Sequence, residues 1–169
     1  MSRALAHLGG RSQALVALGG ATGEQLAGLL RAEGIEFLTL RSPGETRQSL
    51  TVTEDASGRQ FRFLLPGPVW TAQDQAQVFA LLATQARAGG LAVISGSQPP
   101  GVPGDFPARL AAALPGMAVV LDTSGPALVQ AVAQPIAGLA VLRMDSAEAE
   151  ALAGLPLATP ADTAGFAAA

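Results

Sequence analysis

Three segments of this chain carry side chains that could bind phosphate groups or a metal ion. Arg47 precedes two strand-like patterns, and its planar guanidinium offers paired N–H donors that match the oxygens of a phosphate. Ser97 follows an apolar strand pattern within the turn-rich segment 94–101, and parallel sheets bind ligands at the carboxyl ends of their strands. Arg47 could equally be an exposed arginine at the start of a strand, and Ser97 could lie in an ordinary strand-to-helix turn. The ligand-binding and the purely structural interpretations both stay open at this point.

The third segment, residues 143–148, places one cation and two carboxylates after the last strand pattern. Asp145 and Glu148 could orient Mg²⁺ through water while Arg143 contacts the phosphates of a nucleotide. The same spacing suits the start of a helix, in which Asp145 or Ser146 is the N-cap and Glu148 interacts favourably with the helix dipole. Residue types alone do not separate the metal site from the helix cap.

The composition of the chain excludes several other kinds of chemistry. The 169 residues contain no cysteine and one histidine, which excludes disulfides and thiolate sites and disfavours a histidine-based metal centre or triad. A net charge of −3 without an arginine cluster disfavours nucleic acid as a partner. The sequence shows no charged-then-apolar leader pattern and no apolar run near the ~18 residues of a membrane span, so we expect a cytoplasmic protein without a membrane partner.

The elements that must position these side chains alternate between strands and helices. Thr22, with Gln25 three residues later, predicts a capping box at the first long helix, and Thr71 predicts the start of another. Asp122 ends a strand pattern, where we expect a cap or turn role. Apolar strands alternating with helices indicate a parallel sheet covered on both faces. The predicted strands are residues 13–18, 37–40, 91–94, 117–121 and 139–142, and helices are predicted at residues 2–8, from 22, from 71, at 106–114, from 124, from 146 and in the tail from 151.

The segment 46–68 interrupts this order with two alternating patterns around the turn residues 55–58, which predicts a β-hairpin. A lone hairpin is only marginally stable, so its apolar face must cover a protein core, a partner subunit or a ligand. We interpret it as a small lid inserted into the α/β body. The apolar face is predicted to contain Leu50, Val52, Phe61, Phe63 and Leu65.

In combination and in this order, the segments resemble the ribokinase-like, or PfkB, family of carbohydrate kinases. The resemblance implies a layered α/β/α fold with a mostly parallel sheet and an inserted β-hairpin lid over residues 46–66. It also implies transfer of the γ-phosphoryl group of ATP, with Mg²⁺, to fructose 6-phosphate or a close relative such as fructose 1-phosphate or tagatose 6-phosphate. The similar segments are residues 3–10, 19–24, 46–48, 56–58, 61–63, 66–67, 94–97, 99–102 and 122–125.

The resemblance assigns a role to each candidate residue. Arg47 would bind the phosphate of the sugar, and Ser97 would lie in the sugar-binding loop. Arg143 corresponds to the lysine and Asp145 to the asparagine of the family's nucleotide-binding Lys-Pro-Asn segment. Glu148 corresponds to the glutamate of its Asn-x-x-Glu magnesium motif. In these kinases the lid closes the site, and it often pairs with its twin, so a homodimer through the lid is expected as well.

Two departures from the family pattern modify these expectations. Met144 and Asp145 replace the family's proline and asparagine, and an ionised Asp145 would repel phosphate. The family's Gly-Gly-x-x-x-Asn segment would precede Met1, and its Gly-Ala-Gly-Asp segment, with the catalytic aspartate, would follow Ala169. We therefore expect residues 1–169 to form a single partial kinase domain, truncated at both ends, with negligible turnover alone. The alternatives are a non-catalytic protein that binds sugar phosphate or dimerises, and a remnant without function.

Overall fold

The computed structural model describes residues 1–168, which form seven strands and seven helices, and it confirms the predicted α/β class. None of the described helices is both long and apolar enough to cross a membrane. The strands are β1 Gln13–Leu18, β2 Glu36–Arg41, β3 Ser49–Thr53, β4 Gln60–Leu64, β5 Leu91–Ser95, β6 Ala118–Asp122 and β7 Leu139–Arg143; the helices are α1 Ser2–His7, α2 Gly20–Ala32, α3 Ala72–Gln85, α4 Phe106–Ala112, α5 Pro126–Ala133, α6 Ser146–Ala153 and α7 Pro160–Ala168.

The chain forms two compact units, the first made of residues 1–78 and 99–102 and the second of residues 79–98 and the chain from Pro103 onward. In the first unit β1 and β2 pair in parallel, from Gln13 opposite Glu36 to Leu18 opposite Arg41. Parallel neighbours need a crossover connection, which α2 supplies. The buried apolar residues of this unit are Leu18, Ala27, Leu40, Trp70 and Val78.

The second unit contains a parallel three-stranded sheet in the order β5-β6-β7. β6 is the central strand of this sheet, and its Val119 and Leu121 are fully buried. The prediction that the apolar strands are covered on both faces fails at Leu91, Val93 and Val141, which are 63%, 39% and 50% exposed. Side chains alternate between the faces of a strand, and apolar composition does not report whether a helix covers the second face.

The hairpin forms as predicted, with β3 and β4 antiparallel and Leu50 opposite Phe63. Its turn is closed by the backbone N–H of Gly58, which donates to the carbonyl of Glu54 at 2.8 Å, and by an ion pair between Arg59 and Glu54 at 3.2 Å. Every residue of both strands is exposed, so neither face is covered by the described chain. Leu65 lies just beyond the end of β4, and the paired apolar face consists of Leu50, Val52, Phe61 and Phe63.

Three predicted helix starts need correction. The tail predicted to be helical from Ala151 contains the end of α6, and α7 begins only at Pro160, because Gly154 ends α6 in the left-handed conformation. The helix expected from Thr22 begins at Gly20, and Thr22 lies in its first turn, so the capping box with Gln25 does not form. The helix expected from Ser124 begins at Pro126, because proline is favoured in the first helical turn and Gly125 precedes it. The start predicted at Thr71 is confirmed: the backbone N–H of Asp74 donates to the Thr71 hydroxyl at 3.3 Å, and the Asp74 carboxylate accepts from the backbone N–H of Thr71 at 2.8 Å.

Candidate functional site

Arg47 lies in the loop between β2 and β3, in the first unit, and its side chain is exposed. No acidic side chain among residues 1–168 forms an ion pair with it. It stands beside Gly67, where an added Cβ would be 3.8 Å from the Cβ of Arg47. The guanidinium is therefore a solvent-accessible cation whose donors remain available to an anion.

The two residues before Arg47 are bound to the start of α2. The backbone N–H groups of Ala21 and Thr22 donate to the Glu45 carboxylate, each at 3.2 Å, and the Thr22 hydroxyl lies 2.6 Å from the same group. These bonds, with that of the Thr22 hydroxyl the strongest, lower the pKa of Glu45. Thr46 exchanges two bonds with Gly19: its hydroxyl accepts from the Gly19 N–H at 3.0 Å, and its own N–H donates to the Gly19 carbonyl at 2.9 Å.

The pair Gly19-Gly20 makes this close approach possible. Gly20 has a φ of +62°, and a Cβ there would overlap the Glu45 carboxylate. A Cβ on Gly19 would overlap the carbonyl oxygen of Gly44. Side chains at either position would push the loop away from the helix, and an L-residue at position 20 would also be strained.

In the second unit, Ser97 follows the carboxyl end of β5, and hydrogen bonds tie the start of its loop to the end of β6. The N–H of Gly96 donates to the carbonyl of Asp122 at 2.8 Å, and the buried Thr123 hydroxyl donates to the carbonyl of Gly96 at 3.2 Å. The loop bearing Ser97 is thus registered against β6 at the edge where such sheets bind ligands.

Arg143 ends β7 and pairs with Asp122 at the end of β6, with 3.1 Å between the Arg143 Nη1 and the Asp122 Oδ1. The hydrogen bond to Asp122, followed by its charge, raises the pKa of Arg143, and the more distant carboxylates of Glu148 and Asp145 add to the shift. The cap role expected for Asp122 is wrong, since its side chain bonds to Arg143 and the N-cap of α5 is Gly125.

Asp145 and Glu148 form a capping box at the start of α6. The Glu148 N–H donates to the Asp145 carboxylate at 2.9 Å, and the Asp145 N–H donates to the Glu148 Oε2 at 2.8 Å. The helix-cap alternative that the sequence left open is therefore realised. It does not exclude ligand binding, because each carboxylate uses one oxygen in the box and keeps the other.

Within residues 1–168, no three His, Asp or Glu side chains converge in the manner of a protein-only metal centre. Mg²⁺ is commonly held by one or two carboxylates together with substrate phosphates, so a single glutamate suffices on the protein side. Glu148, with its free oxygen, fits that requirement, and Arg143 supplies positive charge nearby. The residues present suit a Mg²⁺–nucleotide complex rather than a metal ion alone.

The sequence predicted neither the role of Glu45 nor the pairing of Asp122 with Arg143. Asp122 was predicted only as a cap or turn residue, because its pairing with Arg143 depends on the register of β6 and β7. Glu45 carries no comparable signal, since more than twenty residues separate it from the helix that it caps.

The model of the pfkB family of carbohydrate kinases matches residues 1–169. The chain belongs to this family, as the sequence resemblance predicted.

The relatives point to phosphofructokinases within that family. The chain is 37% identical over 164 residues to ATP-dependent 6-phosphofructokinase isozyme 2 of Escherichia coli, covering 96% of this chain and 52% of that protein. It is 36% identical over 156 residues to 1-phosphofructokinase of Xanthomonas campestris, covering 90% and 49%. The chain thus spans about half the length of the curated relatives it matches.

Solved structures of phosphofructokinase-2 from Escherichia coli confirm the fold class. A complex with fructose-6-phosphate and a tetrameric inhibited form each superimpose with a TM-score of 0.86 at 36% identity, covering 99% of this chain and 55% of theirs. The predicted ribokinase-like fold, kinase class and sugar-phosphate kinase relationship are therefore confirmed. The Escherichia coli relative is named as an ATP-dependent enzyme.

Proposed function

We propose that this chain carries sugar-phosphate-binding and nucleotide-binding residues of an ATP-dependent cytoplasmic kinase. Its acceptor is fructose 6-phosphate or a close relative such as fructose 1-phosphate or tagatose 6-phosphate. The observation that carries the proposal is the match over almost the whole chain to phosphofructokinase-2, including a structure with fructose-6-phosphate bound. The 1-phosphofructokinase relative keeps the second acceptor open.

The first unit contributes the phosphate contact in this proposal. Arg47 is exposed, lacks an ion-pair partner in residues 1–168, and follows two residues that are held in place by hydrogen bonds. A guanidinium with these properties binds a phosphate through paired charge-assisted bonds.

The second unit contributes the sugar loop and the nucleotide residues. Ser97 would donate to a hydroxyl of the sugar from the carboxyl edge of β5. Arg143 would contact the phosphates of ATP, and Glu148 would hold Mg²⁺ through its free oxygen or a bound water. Mg²⁺, when bound, supplies neutralisation of the phosphate charge.

Asp145 weakens nucleotide binding in this scheme. The residue occupies the position of an amide donor in the family, and its carboxylate carries negative charge next to the proposed phosphate site. Asp145→Asn keeps an N-capping side chain and removes that charge. We expect the variant to bind MgATP several-fold more tightly in a calorimetric titration; equal or weaker binding would contradict the role assigned to Asp145.

Calorimetric titration with fructose 6-phosphate tests the phosphate contact. Because hydrogen bonds to charged groups contribute about 1.5–3 kcal/mol, Arg47→Ala should weaken binding by about 10- to 100-fold. Arg11→Ala is the matched control, since Arg11 is an exposed arginine of the same unit that pairs with Glu36 at 3.0 Å. Equal affinities of the wild type and Arg47→Ala would exclude Arg47 as the phosphate contact.

Turnover of the 169-residue chain is a separate question, and we propose that it is negligible. The sequence contains no Gly-Ala-Gly-Asp segment, with which the family provides its catalytic aspartate. A coupled assay of ADP release with fructose 6-phosphate, ATP and Mg²⁺ measures this. Sugar-dependent release above the enzyme-free rate would show that another carboxylate of the chain acts as the base.

A second candidate function, dimerisation without catalysis, is favoured by the exposed hairpin. Phe61 and Phe63 are 46% and 54% exposed on the face that they share with Leu50 and Val52. Apolar side chains on one face of a two-stranded sheet favour burial against a second copy of the hairpin.

Sedimentation equilibrium distinguishes this candidate. Phe63→Glu should dissociate the dimer, because it places charge in the apolar face. Thr51→Glu, on the opposite face and paired with Arg62, is the control and should leave the dimer intact. A monomeric wild type at micromolar concentration would exclude the hairpin interface.

A further inference from the structure

We propose that Glu45 is a positioning residue for Arg47: its carboxylate binds the N-terminal turn of α2 and fixes the loop from which Arg47 reaches the phosphate of the sugar. This inference rests on the phosphate contact proposed above for Arg47. It adds a residue that touches no substrate and acts through the placement of its neighbour.

Hydrogen bonds hold both of the residues that immediately precede Arg47 in the chain. The Glu45 carboxylate accepts from the backbone of Ala21 and Thr22, and Thr46 exchanges a pair of bonds with Gly19. Consecutive Cα atoms are about 3.8 Å apart, so fixing the position of residue 46 restricts the positions that the Cα of Arg47 can occupy. The mobility that remains to Arg47 is mainly that of its own side chain.

The loop that carries Glu45 also fits closely against the backbone at the start of α2. The Glu45 carboxylate occupies the space that a Cβ would take on Gly20, and the carbonyl of Gly44 approaches Gly19 in the same way. The loop therefore fits against glycine backbone at two consecutive positions. A loop that merely crossed the surface would not require either glycine.

The Glu45 carboxylate also lies at the positively polarised end of α2. The N-terminus of a helix offers free N–H groups and a partial positive charge, which attract anions. At α2 the Glu45 carboxylate takes these donors. A substrate phosphate is thereby excluded from the helix start, and the unpaired cation at Arg47 is the remaining attraction in that loop.

Calorimetric titration with fructose 6-phosphate provides the first test. Glu45→Ala should weaken binding by about tenfold, and Glu45→Gln by less, because its amide oxygen can accept one of the lost bonds. Glu36→Gln is the control: it neutralises an exposed glutamate of the same unit, at the opposite end of the β1–β2 pair, and should leave affinity unchanged.

A double-mutant cycle separates positioning from a direct contribution. If Glu45 acts through Arg47, then Glu45→Ala should cause no further loss of affinity in an Arg47→Ala background. The same tenfold loss in both backgrounds would overturn the proposal, since Glu45 would then act independently of Arg47.

Amide hydrogen exchange without ligand is the second readout. Glu45→Ala should accelerate exchange at Ala21, Thr22 and Thr46 by about tenfold, with little change in the hairpin. Unchanged exchange, or a wild type that binds sugar phosphate no better than Glu45→Ala, overturns the positioning role alone. A wild type that does not bind fructose 6-phosphate overturns the proposed phosphate contact together with it.

Discussion

Glu45 and Glu148 are both glutamates bound at the start of a helix, yet they reach that position in different ways. Glu148 lies within α6 and completes a capping box with Asp145, three residues earlier. Glu45 lies beyond β2 and bonds to the first turn of α2, across 23 and 24 residues of sequence. One interaction closes within a single turn, and the other depends on the chain having already folded.

The difference matters for what each carboxylate can do. The local cap at α6 stabilises a helix and leaves the position of neighbouring loops to other contacts. The distant cap at α2 joins a loop to a helix, so it fixes Arg47 in space as well as satisfying two N–H groups. A carboxylate of the second kind contributes to both stability and the geometry of a site.

The largest effect is expected where the distant contact depends on glycine. Gly20→Ala should lower the free energy of unfolding by at least about 1–2 kcal/mol from backbone strain at φ +62°, with a further loss from overlap with Glu45. Gly28→Ala is the control, because a Cβ there meets open space in the middle of α2. It should raise stability by about 0.5–1 kcal/mol in urea denaturation. Similar losses for both variants would contradict the strain and the overlap assigned to a side chain at position 20.

The local cap provides the next effect. Asp145→Ala should lower the free energy of unfolding by about 1 kcal/mol, because the N–H of Glu148 loses its acceptor. Asp145→Asn should leave stability nearly unchanged, since asparagine is an equally good N-cap. Denaturation curves of the two variants measure the contrast, and a loss in Asn as large as in Ala would mean that charge rather than capping is responsible.

Acid pH offers a smaller and more gradual way to test the distant contact of Glu45 with α2. The pKa of Glu45 is lowered in the folded state, chiefly by the Thr22 hydroxyl, so its contribution to stability is complete above the unfolded carboxyl pKa of about 4.3 and is lost as pH falls through the lower folded value. Stability measured between pH 7 and pH 3 should therefore fall less steeply in Glu45→Gln than in the wild type.

The control for that experiment is Asp74, whose pKa is lowered by the Thr71 hydroxyl and then by the Thr71 backbone N–H, within a local cap. Asp74→Asn should remove a similar part of the acid dependence. Parallel curves for wild type and Glu45→Gln would show that the Glu45 contact is absent in solution.

The smallest effect is expected at the exposed ion pair between Arg11 and Glu36, whose side chains are 88% and 61% exposed. Glu36→Gln should change stability by less than about 0.5 kcal/mol, because solvent and salt screen such pairs. Denaturation at low and high salt measures the change. A loss of stability larger than that of Asp145→Ala would contradict the prediction that this exposed ion pair contributes least.

Periodicity predicted most of the elements because it reflects local geometry. The strand at Gln13–Leu18 and the hairpin with its apolar face were predicted from the sequence, and the structure pairs Leu50 with Phe63 on that face. The start of α3 at Thr71 follows from a cap spaced three residues from Asp74. The start of α2 was predicted at the wrong residue for the opposite reason. Its cap is the distant Glu45, and in the sequence alone Thr22 resembles an N-cap.

The candidate site likewise combines residues that the sequence indicated with contacts that depend on the fold. Arg47, Ser97, Arg143, Asp145 and Glu148 were selected from the sequence, and their ligand roles remain proposals. The pairing of Arg143 with Asp122 was missed because it depends on the register of two strands. Residue types suggested the chemistry, and strand register decided which charges face each other.

The sequence by itself determined the family, the order of strands and helices, and the helix start at Thr71, because these depend on residue types and on their spacing along the chain. Only the tertiary structure showed that Glu45 binds α2, that Asp122 holds Arg143, and that Leu91 and Val141 remain exposed. Each of these depends on which distant segments meet. Hydrogen bonds, ion pairs and burial across long separations are set by the packed fold, and no local pattern encodes them.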